Sequence, residues 1–144
     1  MPLFSYFPAG VLGGNVSGQG INWLTDTINV ALVGSGWTPS PTSNKVWSDV
    51  SANEVTGTGY TAGGQALASK TVTVSGSTTT LSGANVTWAD STITARYAVI
   101  YKSTGVGSTS MLVGYVDFGS NQSSSAGNFT IAWNAAGIAT LPVA

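Results

Sequence analysis

The sequence predicts an all-β protein, an antiparallel β-sandwich of jelly-roll-like type with about eight short strands. Three observations predict it. Apolar and polar residues alternate in several short segments, and turn signals recur about every 8–12 residues. Gly, Ser and Thr supply 57 of the 144 residues, which favours strands joined by tight turns. We expect one such domain over residues 21–144, preceded by an extended N-terminal arm over residues 1–20.

The first elements follow from local pattern. Residues 27–33 alternate cleanly, with Ile28, Val30 and Leu32 on one face of a predicted strand. Residues 46–54 are the one stretch typical of a helical turn, for which Ser48 is a candidate N-cap. The remaining short strands are predicted at residues 66–74, around residue 81, and at residues 86–88, 128–134 and 138–141.

The clearest strand is predicted over residues 93–102. Strict alternation would place Ile93, Ala95, Tyr97, Val99 and Tyr101 on one face, and Thr94, Arg96, Ala98, Ile100 and Lys102 on the other. Because Ala98 and Ile100 make the second face apolar too, we expect a neighbouring molecule to cover it, the alternative being a loop of the same chain. A partner strand is predicted at residues 111–118, followed by a loop at residues 119–127.

Charge is the scarcest property of the chain. Charged residues make up 6% of it, against about 25% in ordinary soluble domains. The chain has no His and no Cys, which removes thiolate zinc sites and the usual activated nucleophiles, so neither catalysis nor a cofactor or metal is predicted. A net charge of −1 gives no basic field for nucleic acid or an anionic membrane. The composition instead indicates a surface shared with other protein subunits.

The candidate contact residues are apolar. The N-terminal arm is broken by Pro and Gly, and we interpret it as a structural arm and not as a signal peptide. We expect it to anchor on a neighbouring subunit or shell, the alternative being that it packs on its own domain as an edge strand. Trp37, in a Pro-rich loop, is the candidate exposed anchor, with core packing and glycan contact as alternatives. The arm's candidate contacts are Leu3, Phe4, Tyr6, Phe7, Val11 and Leu12.

The five acidic residues are scattered and suggest no catalytic pair. Asp49 and Glu54 are close enough to cap the predicted helical turn. Arg96 lies within the strand at residues 93–102, and we expect it to form a buried or interfacial ion pair with Asp117 or Asp90.

Five ordered stretches carry a family resemblance. They are INWLTDTINVALVGSGWTP (residues 21–39), WSDVSANEVTGTGYTAGGQAL (47–67), VTWADSTITARYAVIYKSTG (86–105), and LVGYVDFG (112–119) with FTIAWNAAGIATL (129–141). Together they resemble a family of small virion structural proteins of tailed bacteriophages, which includes head decoration (cement) proteins and related head-fibre proteins. The first 20 residues fall outside the shared pattern.

The resemblance implies a function without catalytic residues. It implies a capsid decoration protein, made in the cytoplasm of a bacterial host, that binds the major capsid protein on the outer capsid surface and bridges capsomers. A homo-oligomer is expected, with a trimer favoured, and neither nucleic acid nor membrane is a predicted partner. The alternative is a head-fibre or tail-fibre adhesin that stacks host glycan on Trp37 and the loop carrying Tyr60.

Overall fold

The computed structural model describes residues 2–4 and 20–142, and within them the chain is built from β-strands in two antiparallel sheets. This confirms the all-β class. The strands are β1 (Ile28–Val33), β2 (Gln65–Ala66), β3 (Thr71–Ser75), β4 (Thr78–Ser82), β5 (Val86–Lys102), β6 (Leu112–Ile131) and β7 (Ala139–Pro142). The larger sheet has the order β2-β1-β5-β6, and the smaller has the order β3-β4-β7.

Two long strands dominate the larger sheet. β5 has 17 residues and β6 has 20, and they pair along their whole length. The strands predicted at residues 86–88 and 93–102 are therefore one strand, and the predicted loop at residues 119–127 is wrong. That Ser- and Gly-rich segment lies inside β6 because cross-strand hydroxyl pairs, such as Thr94 with Ser123 at 2.8 Å, support its pairing with β5.

A bulge in β5 reverses the predicted alternation. The β5–β6 register shifts between Ala95 and Tyr97. Before the bulge, Ile93 and Ala95 face the first core cluster; after it, Ala98 and Ile100 occupy that face. The five residues predicted to share one face therefore lie on both faces of the sheet, because a bulge inserts one residue and exchanges the faces of the strand beyond it.

The first core cluster joins the two sheets. It combines side chains of the larger sheet, such as Val30 and Ile100, with Leu81 of β4 and Ala139 of β7. Trp88, 1% exposed, is the largest fully buried side chain in it. The three apolar residues predicted to share a face of β1 all belong to this cluster, which confirms that prediction.

A second core cluster covers the opposite face of the larger sheet. Tyr97, Val99 and Tyr101 of β5 pack there against Trp37, Trp47 and other side chains of the same chain.

Both faces of residues 97–101 are thus buried within the chain, whereas Thr94 is exposed, and the expectation that a neighbouring molecule covers Ala98 and Ile100 is wrong. Ala98 and Ile100 are covered in the first core cluster, to which the smaller sheet contributes Leu81. The segment between β1 and β2 covers the opposite face, so the alternative of cover by a loop does not describe the face for which it was predicted.

The predicted helical turn consists of two short 3-10 helices, Trp47–Asp49 and Ser51–Asn53. Val46 and not Ser48 occupies the N-cap position of the first. The Asp49 carboxylate accepts hydrogen bonds from the backbone N–H groups of Lys45, at 2.8 Å, and Val46, at 3.1 Å. Asp49 therefore caps this turn as predicted, because it satisfies donors that precede the first helical residue.

The strand predicted at residues 66–74 is divided between the two sheets. β2 pairs with β1 in the larger sheet, and β3 pairs with β4 in the smaller one. The chain changes sheet near Ser69, whose φ of 51° lies in the left-handed region. Within the described ranges, no helix has the length and hydropathy needed to cross a bilayer.

Candidate functional site

The first described residues of the predicted arm are part of the fold. Leu3 bridges to Gly114, the Phe4 N–H donates to the Val113 carbonyl at 3.0 Å, and the Tyr115 N–H donates to the Pro2 carbonyl at 3.1 Å. The Phe4 side chain is fully buried in the second core cluster. Residues 2–4 therefore lie along β6 as an edge segment of their own domain, which was the alternative interpretation. The other predicted arm contacts, Tyr6, Phe7, Val11 and Leu12, lie outside the described residues.

Trp37 is buried, so its predicted role as an exposed anchor is wrong for the isolated chain. It is 5% exposed, and its ring makes edge contacts with Tyr97, at 5.2 Å between centroids, and Tyr115, at 5.6 Å. The large apolar area of the indole ring explains this placement, because burying it against the aromatic side chains of the larger sheet removes apolar surface from water. No described acceptor binds the Trp37 indole N–H.

Tyr60 is also unavailable for stacking a sugar. Its ring lies 5.8 Å from that of Trp88. Its hydroxyl donates to Glu54 Oε1 at 2.7 Å and accepts from the Leu32 N–H at 3.0 Å. Burial, followed by the hydrogen bond to Glu54, raises the pKa of Tyr60 well above its ordinary value. Trp37 is therefore wrong as a predicted sugar-stacking residue, and the ring and hydroxyl of Tyr60 are engaged within the chain.

Among the described residues four large apolar side chains are exposed, and two of them lie together on β3. All five residues of this strand are exposed, including Val72 at 40% and Val74 at 71%. Val72 stands directly opposite Leu81, and Val74 opposite Thr79, so the two valines share a face with the buried Leu81. The apolar face of the smaller sheet thus continues past the core onto β3, whose other edge has no strand partner among the described residues.

A groove of about 540 Å³ runs beside this face. Its apolar walls include Trp23, Val72 and Leu141, and Asp26 and Lys102 lie in it as an ion pair with 3.1 Å between Nζ and Oδ2. The Lys102 ammonium also donates to the Gly20 carbonyl at 2.6 Å. The charges in the groove are therefore mutually satisfied, and they add little net field to the neighbouring valines.

The predicted partner of Arg96 is Asp117. Arg96 Nε donates to Asp117 Oδ1 at 2.6 Å, and a second guanidinium nitrogen donates to Oδ2 at 3.2 Å. The Arg96 guanidinium, with the Gly119 N–H, lowers the pKa of Asp117, and Asp117 raises that of Arg96. The side chains are 29% and 41% exposed, so the buried setting is wrong, and the interfacial setting stays a prediction.

A polar pocket of about 470 Å³ lies beside Trp47 and Tyr101 of the second core cluster. Its central group is the Glu54 carboxylate, whose Oε1 accepts hydrogen bonds from the Tyr60 hydroxyl and from the Gly63 N–H at 2.6 Å. Tyr101 donates its hydroxyl to the Gly63 carbonyl at 2.7 Å, and Asn29 Nδ2 donates to that carbonyl at 3.3 Å. The Glu54 side chain therefore orders this turn, while its backbone N–H, which donates to the Ser51 carbonyl at 3.1 Å, caps the C-terminus of the second 3-10 helix as predicted.

Sequence reasoning missed both surface features. The Thr-Val-Thr-Val alternation of residues 71–74 predicted a strand, but nothing in it shows that all five residues of β3 are exposed. Glu54 and Asn29 are 25 residues apart in the sequence, and the bridge of Glu54 to Val33 holds this residue beside β1, the strand that carries Asn29. Among residues 2–4 and 20–142, no three His, Cys, Asp or Glu side chains are grouped to hold a metal ion.

Comparison with known proteins adds no assignment. No protein-family model, no curated protein and no solved structure matches this chain.

Proposed function

We infer that this chain is a non-enzymatic bacteriophage capsid decoration protein, which binds the outer surface of the major capsid protein shell and bridges neighbouring capsomers. The observation that carries the proposal is β3, a fully exposed strand with Val72 and Val74 on an apolar face and a free edge. An apolar sheet face beside an unpaired edge is typical of a surface that another protein covers. The resemblance of residues 21–141 to phage virion proteins supplies the class of partner.

The distribution of charge supports the same proposal. Four of the nine charged residues are used in the pairs Arg96–Asp117 and Lys102–Asp26. A further carboxylate, Asp49, accepts backbone hydrogen bonds, and Glu54 accepts from Tyr60 and Gly63. Few charges therefore need to lose water when the surface is covered, and the desolvation cost of a close contact is low.

The architecture proposed for this role is a β-sandwich. The first core cluster takes side chains from both sheets, which supports the smaller sheet as the second layer over the larger one. In such an arrangement β3 lies at the rim, where it reaches the shell without disturbing the core. The proposed location is the outer surface of the virion.

We propose a homotrimer as the binding unit. A single apolar patch of two valines contributes only a few kcal/mol at about 25 cal/mol per Å². Three linked copies raise the apparent affinity by about 10²–10⁴ when all can engage the shell at once. Light scattering of the isolated protein tests this, and a monomer at micromolar concentration would contradict it.

Co-sedimentation with shells of the phage that encodes the chain tests the function. Val74→Asp introduces a charge at a 71% exposed site, so we expect an unchanged melting temperature and shell affinity reduced at least about tenfold. The matched control is Val106→Asp, at a 56% exposed valine that lines a different pocket, which should bind normally. Equal binding by both variants, or none by the wild type, overturns the proposal. Electron micrographs that show the protein at a few vertices only would favour the fibre role.

A further inference from the structure

The pocket around Glu54 has properties that shell binding does not require. It is lined by strand residues, by the 3-10 helices and by the turn at Gly63, and its volume of about 470 Å³ lies within the usual range for small-ligand sites. Trp47 stacks on Tyr101 at 4.6 Å with 5° between the rings, which gives the pocket a rigid aromatic wall. These features are typical of a preformed binding site.

The hydrogen bonds of the pocket hold its shape and leave specific groups unused. Each described donor to Glu54 binds Oε1, so no described residue donates to Oε2. Asn29 uses Nδ2 for the Gly63 carbonyl and the Tyr101 hydroxyl, so its Oδ1 is likewise left without a described donor. A ligand that carries hydroxyl donors would satisfy both acceptors.

The rest of the lining narrows the class of ligand. Ser51 and Ser103 contribute hydroxyls, which donate as well as accept, and Val106 is an exposed apolar side chain beside them. No Lys or Arg lies among the described lining residues, and Glu54 is acidic, so an anionic ligand finds no counter-charge. Mixed hydroxyl donors and acceptors on an apolar ring are the chemistry of a neutral pyranose sugar.

We propose that this pocket binds a neutral sugar, with Glu54 Oε2 and Asn29 Oδ1 accepting hydrogen bonds from its hydroxyls and Val106 contacting its apolar face. The proposed ligand chemistry is shared by a free monosaccharide and by a sugar unit of a cell-surface polysaccharide. The site is independent of the proposed shell contact, since β3 and this pocket have no lining residue in common.

Saturation-transfer NMR on the full chain tests the proposal. The probes are D-glucose, D-galactose, L-rhamnose and N-acetyl-D-glucosamine, and separately the purified surface polysaccharide of the host. We expect saturable binding of at least one probe. Binding of monosaccharides alone identifies a free sugar as the ligand, and binding of the polysaccharide alone identifies a surface glycan.

Three variants locate the binding. Glu54→Gln keeps the Oε1 acceptor for Tyr60 and Gly63, and we expect sugar affinity to fall at least about fivefold with little change in melting temperature. Val106→Asp, which does not disturb the core, should weaken binding about threefold or more, whereas Val74→Asp should not. Because Val74→Asp affects only shell binding in these experiments, failure of one proposal is distinguishable from failure of the other.

Three results would overturn the inference. One is the absence of saturable binding by every sugar probe. Another is sugar binding that is unchanged in both Glu54→Gln and Val106→Asp, which would place the sugar elsewhere. The third is preferential binding of n-butylamine over all neutral sugars, which would make the pocket an ammonium site.

Discussion

At the scale of single residues, Gly64 determines how closely the turn beside the polar pocket approaches β1. Its φ of 78° is in the left-handed region, and a Cβ there would collide with the backbone carbonyl of Val30. Gly76 has a φ of 60°, but a Cβ there would meet open space. The two glycines therefore share the conformational requirement and differ only in the collision.

We expect Gly64→Ala to destabilise the protein by at least about 3 kcal/mol, and Gly76→Ala by about 1–2 kcal/mol. The difference between the two losses of stability measures the close approach of the Gly63–Gly64 turn to β1, because the left-handed backbone destabilises both variants. Urea unfolding followed by tryptophan fluorescence gives both values. Equal destabilisation of the two variants would show that the turn does not contact β1 in solution.

At the scale of elements, the segment at residues 2–4 serves its own domain. Leu3 packs against the first core cluster while half-buried, and Phe4 lies fully buried in the second, with its ring 5.7 Å from that of Tyr115. We expect Phe4→Ala to cost about 3–5 kcal/mol, and Leu3→Ala about 1 kcal/mol, in the isolated protein. Chemical denaturation without any shell measures both. Wild-type stability in Phe4→Ala would mean that this segment leaves β6 in solution.

The strands also show which parts of the fold the sequence determines. The positions of β1 and of residues 93–102 were predictable because period-2 alternation of apolar residues reflects burial directly. Residues 119–127 were not predictable as a strand, since a segment rich in Ser and Gly has low strand propensity. This segment is a strand here because it pairs with β5. The bulge between Ala95 and Tyr97 was equally hidden, because nothing in the local sequence marks the register shift that moves Tyr97 to the other face.

At the scale of the whole molecule, composition predicts contact with other subunits but does not locate the surface that would make it. Scarcity of charge pointed to contact with other subunits, but the apolar residues chosen for that contact, Phe4 and Trp37, are buried by the chain itself. Burial stabilises large aromatic side chains more than small apolar ones, so the aromatic residues are the ones found in the core. The large apolar residues that stay exposed in the described part of the chain are aliphatic, and two of them, Val72 and Val74, lie together on β3.

The same scarcity of charge predicts how shell binding responds to salt. With a net charge of −1 and two of the four cationic side chains held in internal ion pairs, the chain has few charges for an attraction that ions could screen. We expect shell affinity to change less than about threefold between about 0.05 M and 0.5 M sodium chloride, and to rise in sodium sulfate, which strengthens apolar contacts. Co-sedimentation at fixed protein concentration measures both responses, with Val74→Asp as the control for non-specific retention. A steep loss of affinity in sodium chloride would instead assign the binding to the few remaining charges and remove β3 from its proposed role.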